Sequence, residues 1–141
     1  MFAERITMIE PMDDGLYLAE GKRTWWITGD DPKTWAMRQV DNREVFEGAA
    51  LRAPASKLSS LQAQGMVCVW ATKDGPVIGL NSGVVVPFAE RRVAFDKHER
   101  AAFGFREVNG LSQMLVSLAS PKEDNGFRAT DVATCDVIKA G

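Results

Sequence analysis

The chain has 141 residues, enough for one domain with a buried core; 45% are apolar and 26% charged, with a net charge of −2. This near-balance, with basic residues scattered along the chain, argues against a nucleic-acid partner, and no window approaches the roughly 20 apolar residues of a membrane helix. The opening Met1-Phe2-Ala3-Glu4-Arg5 lacks the apolar stretch of a secretory signal, so the expectation is a soluble chain made in the cytosol.

Residues 4–10 alternate, placing Ile6 and Met8 on one face and Thr7 and Ile9 on the other. Pro11 ends this strand because proline donates no ladder bond. Asp13-Asp14-Gly15 is a turn, from which Leu16–Glu20 pairs back. Arg23–Thr28 follows, rich in the aromatic and β-branched residues that favour strands. Gly29-Asp30-Asp31-Pro32 is a second turn, and residues 34–40 form a strand with Trp35, Met37 and Gln39 on one side. Residues 41–64 are irregular, holding Gly48, Pro54 and a polar tract; residues 56–64 suit one or two helical turns stopped by Gly65.

Met66–Thr72 is the clearest buried strand. Met66, Cys68 and Trp70 face one way, and Val67, Val69 and Ala71 the other, so both faces must be covered. Residues 77–80 and 84–88 form a hairpin, and 96–100 a polar bend. Strands at 102–108 and 111–118 flank Asn109-Gly110, both of which tolerate the positive φ of a type I′ turn. Residues 121–127 are a polar loop, and 131–139 a last strand.

Two of these units match. Asp14-Gly15 and Asp74-Gly75 each precede a strand, a tight turn and a second strand, and Asn109-Gly110 centres a weaker third copy. The expectation is a single all-β domain over residues 1–141 with about ten strands, in blade-like units near 4–40, 66–95 and 99–139. Repeated antiparallel hairpins fit a partial β-propeller or a β-sandwich, and spacing alone does not choose between them.

Chemistry is sparse. The single histidine, His98, sits between Lys97 and Glu99 in a polar bend and reads as a surface residue. One histidine with two distant cysteines, Cys68 and Cys135, supplies no familiar zinc spacing; each cysteine lies in an apolar run and reads as a buried thiol. Asp13, Asp14, Asp30, Asp31 and Asp41 lack the alternate spacing of a calcium loop and read first as turn residues. Gly15 and Gly21-Lys22 do not form a phosphate loop, since a strand lies between them and no helix follows. No serine sits in a Gly-x-Ser-x-Gly elbow. The expectation is therefore no catalytic residue, no cofactor and no metal. A small hydrolase using Asp14, Asp30 or Asp74 is the weakest reading.

The tryptophans remain. Adjacent Trp25 and Trp26 in a strand point to opposite faces, and Trp35 follows on the next strand. These three are the candidate partner interface, with core packing and the stacking of a sugar or base as the other uses of such rings.

The segments Asp14-Gly-Leu-Tyr-Leu, Thr24-Trp-Trp-Ile-Thr-Gly-Asp-Asp-Pro and Val69-Trp-Ala-Thr-Lys-Asp-Gly-Pro-Val-Ile-Gly, with Ala101-Ala-Phe-Gly-Phe-Arg-Glu-Val-Asn-Gly further on, resemble a family of bacteriophage and prophage virion proteins. The resemblance spans nearly the whole chain and rests on turn and strand motifs, without a catalytic signature. It implies a propeller-type, tail-associated structural protein of the virion, of which this chain is the C-terminal portion. It also implies assembly in the host cytoplasm, with other copies or other virion proteins as partners. The alternative is a receptor- or carbohydrate-binding module using an outward tryptophan. About 40 residues make a blade, so 141 residues supply about three, fewer than a closed ring needs. Open apolar flanks would then need covering by other chains, unless the domain closes as a sandwich.

Overall fold

Alternating apolar and polar residues, punctuated by glycine turns, become eleven antiparallel strands in a computed structural model that describes residues 2–58, 64–87, 100–119 and 129–136. Sheet one holds β1 (Ile6–Pro11), β2 (Leu16–Glu20), β3 (Arg23–Thr28) and β4 (Ala36–Asp41). Sheet two holds β5 (Val45–Pro54), β6 (Met66–Thr72), β7 (Gly75–Gly79) and β8 (Val85–Pro87). Sheet three holds β9 (Arg100–Val108), β10 (Leu111–Ala119) and β11 (Ala129–Asp136). In each, consecutive strands are neighbours. The all-β expectation holds.

The side chains of β6 set the layering. Cys68 and Trp70 join Val45 and Val77 of sheet two in a core with Met8, Tyr17, Ala19 and Trp26 of sheet one. Val67, Val69 and Ala71 point the other way, into a second core with Met114, Val116 and Leu118 of sheet three. Sheet two is thus the middle layer, covered on both faces as its continuous apolar run requires.

Sheet one grips sheet two through aromatic rings set over glycines. Tyr17 lies 4.7 Å from Trp26 and 5.1 Å from Trp70, centroid to centroid, both pairs tilted by about half a right angle. A Cβ on Gly79 would lie 2.5 Å from the Trp70 ring and 2.7 Å from that of Tyr17; one on Gly83 would lie 2.5 Å from Trp26. The Tyr17 hydroxyl donates to the Leu80 carbonyl at 2.5 Å. Asn81 receives the Asp14 N–H at 3.0 Å and donates its amide to the Asp14 carboxylate at 2.7 Å. The turn between β7 and β8 is therefore fastened to sheet one.

The first strands of the three sheets lie side by side, β1 against β5 and β5 against β9. They run the same way: Arg5 reaches Glu47 at 2.6 Å, whereas Arg52, further along β5, reaches the Pro11 carbonyl at 3.4 Å. Lys57, just past β5, meets Glu107 near the end of β9 at 3.1 Å. Such exposed pairs add little energy but report the alignment.

Four expectations change. The stretch 41–64 contains a ten-residue strand, β5, so the second sheet begins at Val45, ahead of the expected 66. Its alternation is hidden because Gly48 takes φ 72 and the register shifts between Val45 and Ala50, and because adjacent Val45 and Phe46 are both buried, one in each core. Of the helical turns expected at 56–64, the described part is a 3-10 turn at Ala55–Lys57. Ile6 and Met8 do not share a face, because a register shift separates them: Ile6 is exposed and Met8 buried. The Asp-Gly repeat is a hairpin repeat and not a blade repeat, since it leads into the second strand of sheet one but the third of sheet two. Asn109 (φ 52) and Gly110 (φ 75) make the expected type I′ turn. The bend at 96–99 with His98, the loop at 121–127 and the end of the last strand lie outside the described residues.

Gly79→Ala should cost about 1–3 kcal/mol, because the new methyl group meets two immobile rings. Gly104→Ala, on β9 with nothing among the described residues within 4 Å of the new atom, should leave the stability of the single chain unchanged. Urea unfolding of both variants checks this.

Candidate functional site

The alternation that sends Tyr17, Ala19 and Trp26 into the core turns the other side chains of sheet one outward. Register lines them up. Ile9 stands opposite Leu18, Leu18 opposite Trp25 and Trp25 opposite Gln39. In the next row Pro11, Leu16, Ile27 and Met37 lie across the four strands. The outcome is an apolar sheet face with no layer over it among the described residues. Leu18 and Ile27 are buried, whereas Ile9 is 54% and Met37 44% exposed. Ile9 and Met37 stand on the two edge strands, β1 and β4, with half-buried Trp25 on β3 between them, and exposed apolar residues sharing one face mark a contact surface more than scattered ones do.

Glu20 holds one end of this face. It is only 1% exposed. Its carboxylate accepts the N–H groups of Ala3 at 2.8 Å and Glu4 at 3.1 Å, and the Trp25 indole N–H at 3.4 Å. Arg23 pairs with it at 2.8 Å and lies over the Trp25 ring. Burial alone would raise the pKa of Glu20. The two backbone donors, Arg23 and the indole outweigh that and hold the carboxyl below its usual range.

At the other end is an open cleft of about 460 Å³, lined by Asp13, Asp14 and Asp30 together with Leu16, Ile27 and Trp35. Trp35, 40% exposed, follows a 3-10 turn at Pro32–Thr34 whose N-cap, Asp31, accepts the Lys33 N–H. The cleft joins carboxylates to apolar side chains and one ring, Trp35. Asp14 is already engaged by Asn81, and Asp74 lies apart, in the turn between β6 and β7.

Of the three tryptophans expected at an interface, Trp26 is corrected: it sits 5% exposed between sheets one and two, over Gly15 and Gly83. Trp25 is the outward member of the pair, half-buried under Arg23, and Trp35 borders the cleft. The structure gathers Trp25 and Trp35 onto one side of sheet one. The sequence reading missed Ile9, Leu18, Ile27 and Met37 as parts of that surface. Its signal was available in the apolar residues on both faces of β2 and β3.

Other titratable groups serve the interior. Cys68 is a buried thiol whose pKa burial pushes up to about 12, with Glu10 adding to the effect. Burial also raises the pKa of Tyr17. Asp41 is raised by burial, partly offset by Arg43 at 2.7 Å. Among the described residues no group of three or more histidine, cysteine or acidic side chains is placed to hold a metal ion, and no helix is long and apolar enough to cross a membrane. The chain matches no protein-family model, no curated protein and no solved structure.

Because the folded Glu20 carboxyl titrates below its ordinary 4.5, its stabilisation is present above that value and disappears as pH falls through the folded pKa. Glu20→Gln should therefore lower Tm at neutral pH, and the gap to the parent protein should narrow below pH 4.5. Thermal unfolding across that range checks it; a gap independent of pH would remove the role assigned to the charge.

Proposed function

We propose that this chain is a non-catalytic structural component of a bacteriophage or prophage particle, tail-associated, that works by packing the outer face of sheet one against a neighbouring protein. The single observation that carries the assembly part is that face, with Ile9 and Trp25 in one row, Met37 in the next, and exposed apolar surface left over after folding. The virion part is supported by the resemblance of the strand and turn motifs. The described residues contain ample scaffolding chemistry: two sealed cores, glycine-seated aromatics and side chains that tie loops together. Their buried ionisable groups are engaged in structure or insulated by burial.

The reading is tested by purifying particles after prophage induction in the organism that encodes the chain and identifying their proteins by mass spectrometry, with tails and heads separated. Peptides of this chain should co-purify with tails in several copies per particle. Their absence from intact particles, while the protein is present in the lysate, overturns the virion reading.

One observation favours a second reading. Trp35 beside the acidic cleft is arranged as a ring on which a sugar can stack. Under a carbohydrate-binding role, titrating a glycan panel should change tryptophan fluorescence in the parent protein and not in Trp35→Ala. A flat response in both dismisses it.

A further inference from the structure

We propose that the outer face of sheet one receives the outer face of sheet three from a second copy of this chain, so that two copies close a ring of six sheets. The proposal rests on the assembly reading above and names the partner for it.

The chain already takes the same step twice. Sheet two stacks on sheet one, and sheet three on sheet two, each time with the first strands adjacent and running the same way. Continuing the step beyond β1 requires a strand equivalent to β9, with the outer face of its sheet turned toward sheet one. Sheet three has such a face. Phe103 and Phe105 pack inward against the second core, which turns Ala102, Gly104 and Arg106 outward, opposite Ser117, Leu115 and Gln113 on β10.

Shape is the second point. Sheet one meets sheet two by seating large rings over glycines, and sheet three offers the same relief on its open side. Among the described residues Gly104 has no atom within 4 Å of where its Cβ would stand, and Ala102, on the same face, is exposed. The outer face of sheet one is the bulky counterpart, with Ile9, Trp25 and Met37. Two faces of matched large and small residues pack better than either face packs on itself.

Charge is the third. Arg106 lies near the end of β9, on the outer face, and is exposed. In the alignment that joins the end of β5 to Glu107 and Arg52 to Pro11, that level corresponds to the turn after β1, where Asp13 and Asp14 line the cleft. The second copy's arginine therefore arrives at the acidic end of sheet one. Two chains of three sheets give six, inside the range of about four to eight over which such sheets close around an axis. Twofold symmetry then repeats the same contact twice, and no outer face remains uncovered.

The test is a disulfide trap in the full 141-residue chain. Ile9→Cys and Ala102→Cys are introduced together with Cys135→Ser, leaving buried Cys68 in place. Both positions are exposed, so the variant should fold as the parent does. Oxidation should give a covalent dimer, with tandem mass spectrometry finding residue 9 joined to residue 102 and light scattering giving twice the chain mass. A ladder of longer oligomers overturns the two-copy ring. Residue 9 joined only to residue 9 overturns sheet three as the partner and leaves the assembly reading standing. An uncross-linked monomer at every concentration overturns the self-partner, and particle proteomics then decides separately whether the assembly reading survives. Charge reversal gives a second readout: Arg106→Glu should weaken the dimer about tenfold, and adding Asp13→Arg should restore it. Equal affinity in all three proteins contradicts the alignment.

Discussion

The structure depends on one packing arrangement: Tyr17, Trp26 and Trp70 seated against Gly15, Gly79 and Gly83 between the first two sheets. Tyr17 and Trp26 fill the space between the sheets because the backbone they meet, at Gly79 and Gly83, is bare, while Gly15 clears room for the Trp26 ring from within sheet one. Each tilted ring pair adds about 0.5–1.5 kcal/mol beyond the surface it removes from water. The tyrosine hydroxyl, bonded to the Leu80 carbonyl, leaves its polar end satisfied inside the core. The same contact fixes the β7–β8 turn, and with it the position of sheet two beneath sheet one.

From that seat the layering follows. Once Cys68 and Trp70 are committed to sheet one, alternation commits Val67, Val69 and Ala71 to the opposite side, where sheet three must lie. A middle sheet covered on both faces leaves two outer faces of different character. That of sheet one is bulky and apolar; that of sheet three is mixed, with Ala102, Gly104 and Ser117 beside Leu115, Gln113 and Arg106. Asymmetry of this kind suits a head-to-tail contact better than a face meeting its own copy. It is the physical basis for reading the chain as one part of a larger assembly.

Much of this was legible in the amino-acid sequence. The two-sided apolar run of 66–72 announced a covered strand, Asn109-Gly110 announced its hairpin, and the pattern elsewhere announced an all-β chain. β5 escaped because Gly48 and the bulge around it break the two-residue period, and because Ala49, Ala50 and Ala53 lack the bulk that marks a strand. The bulge between Ile6 and Met8 inverted one assignment for the same reason. Neighbouring Trp25 and Trp26 were known to point apart, but which one entered the core depended on Gly15 and Gly83 lying beneath it, a long-range fact no local pattern carries. The candidate face was the hardest to see. It exists only once register sets Ile9, Leu18 and Trp25 in one row, and register is fixed by turn lengths and bulges.

The central claim is that the outer face of sheet one is covered in solution by a second copy. Hydroxyl-radical footprinting across a dilution series measures this directly, because Met37 and Trp35 on that side and Met66 at the start of β6 are similarly exposed in the single chain. The account predicts that oxidation of Met37 and Trp35 falls as protein concentration rises, while that of Met66 stays constant. Equal oxidation of all three at every concentration would contradict it.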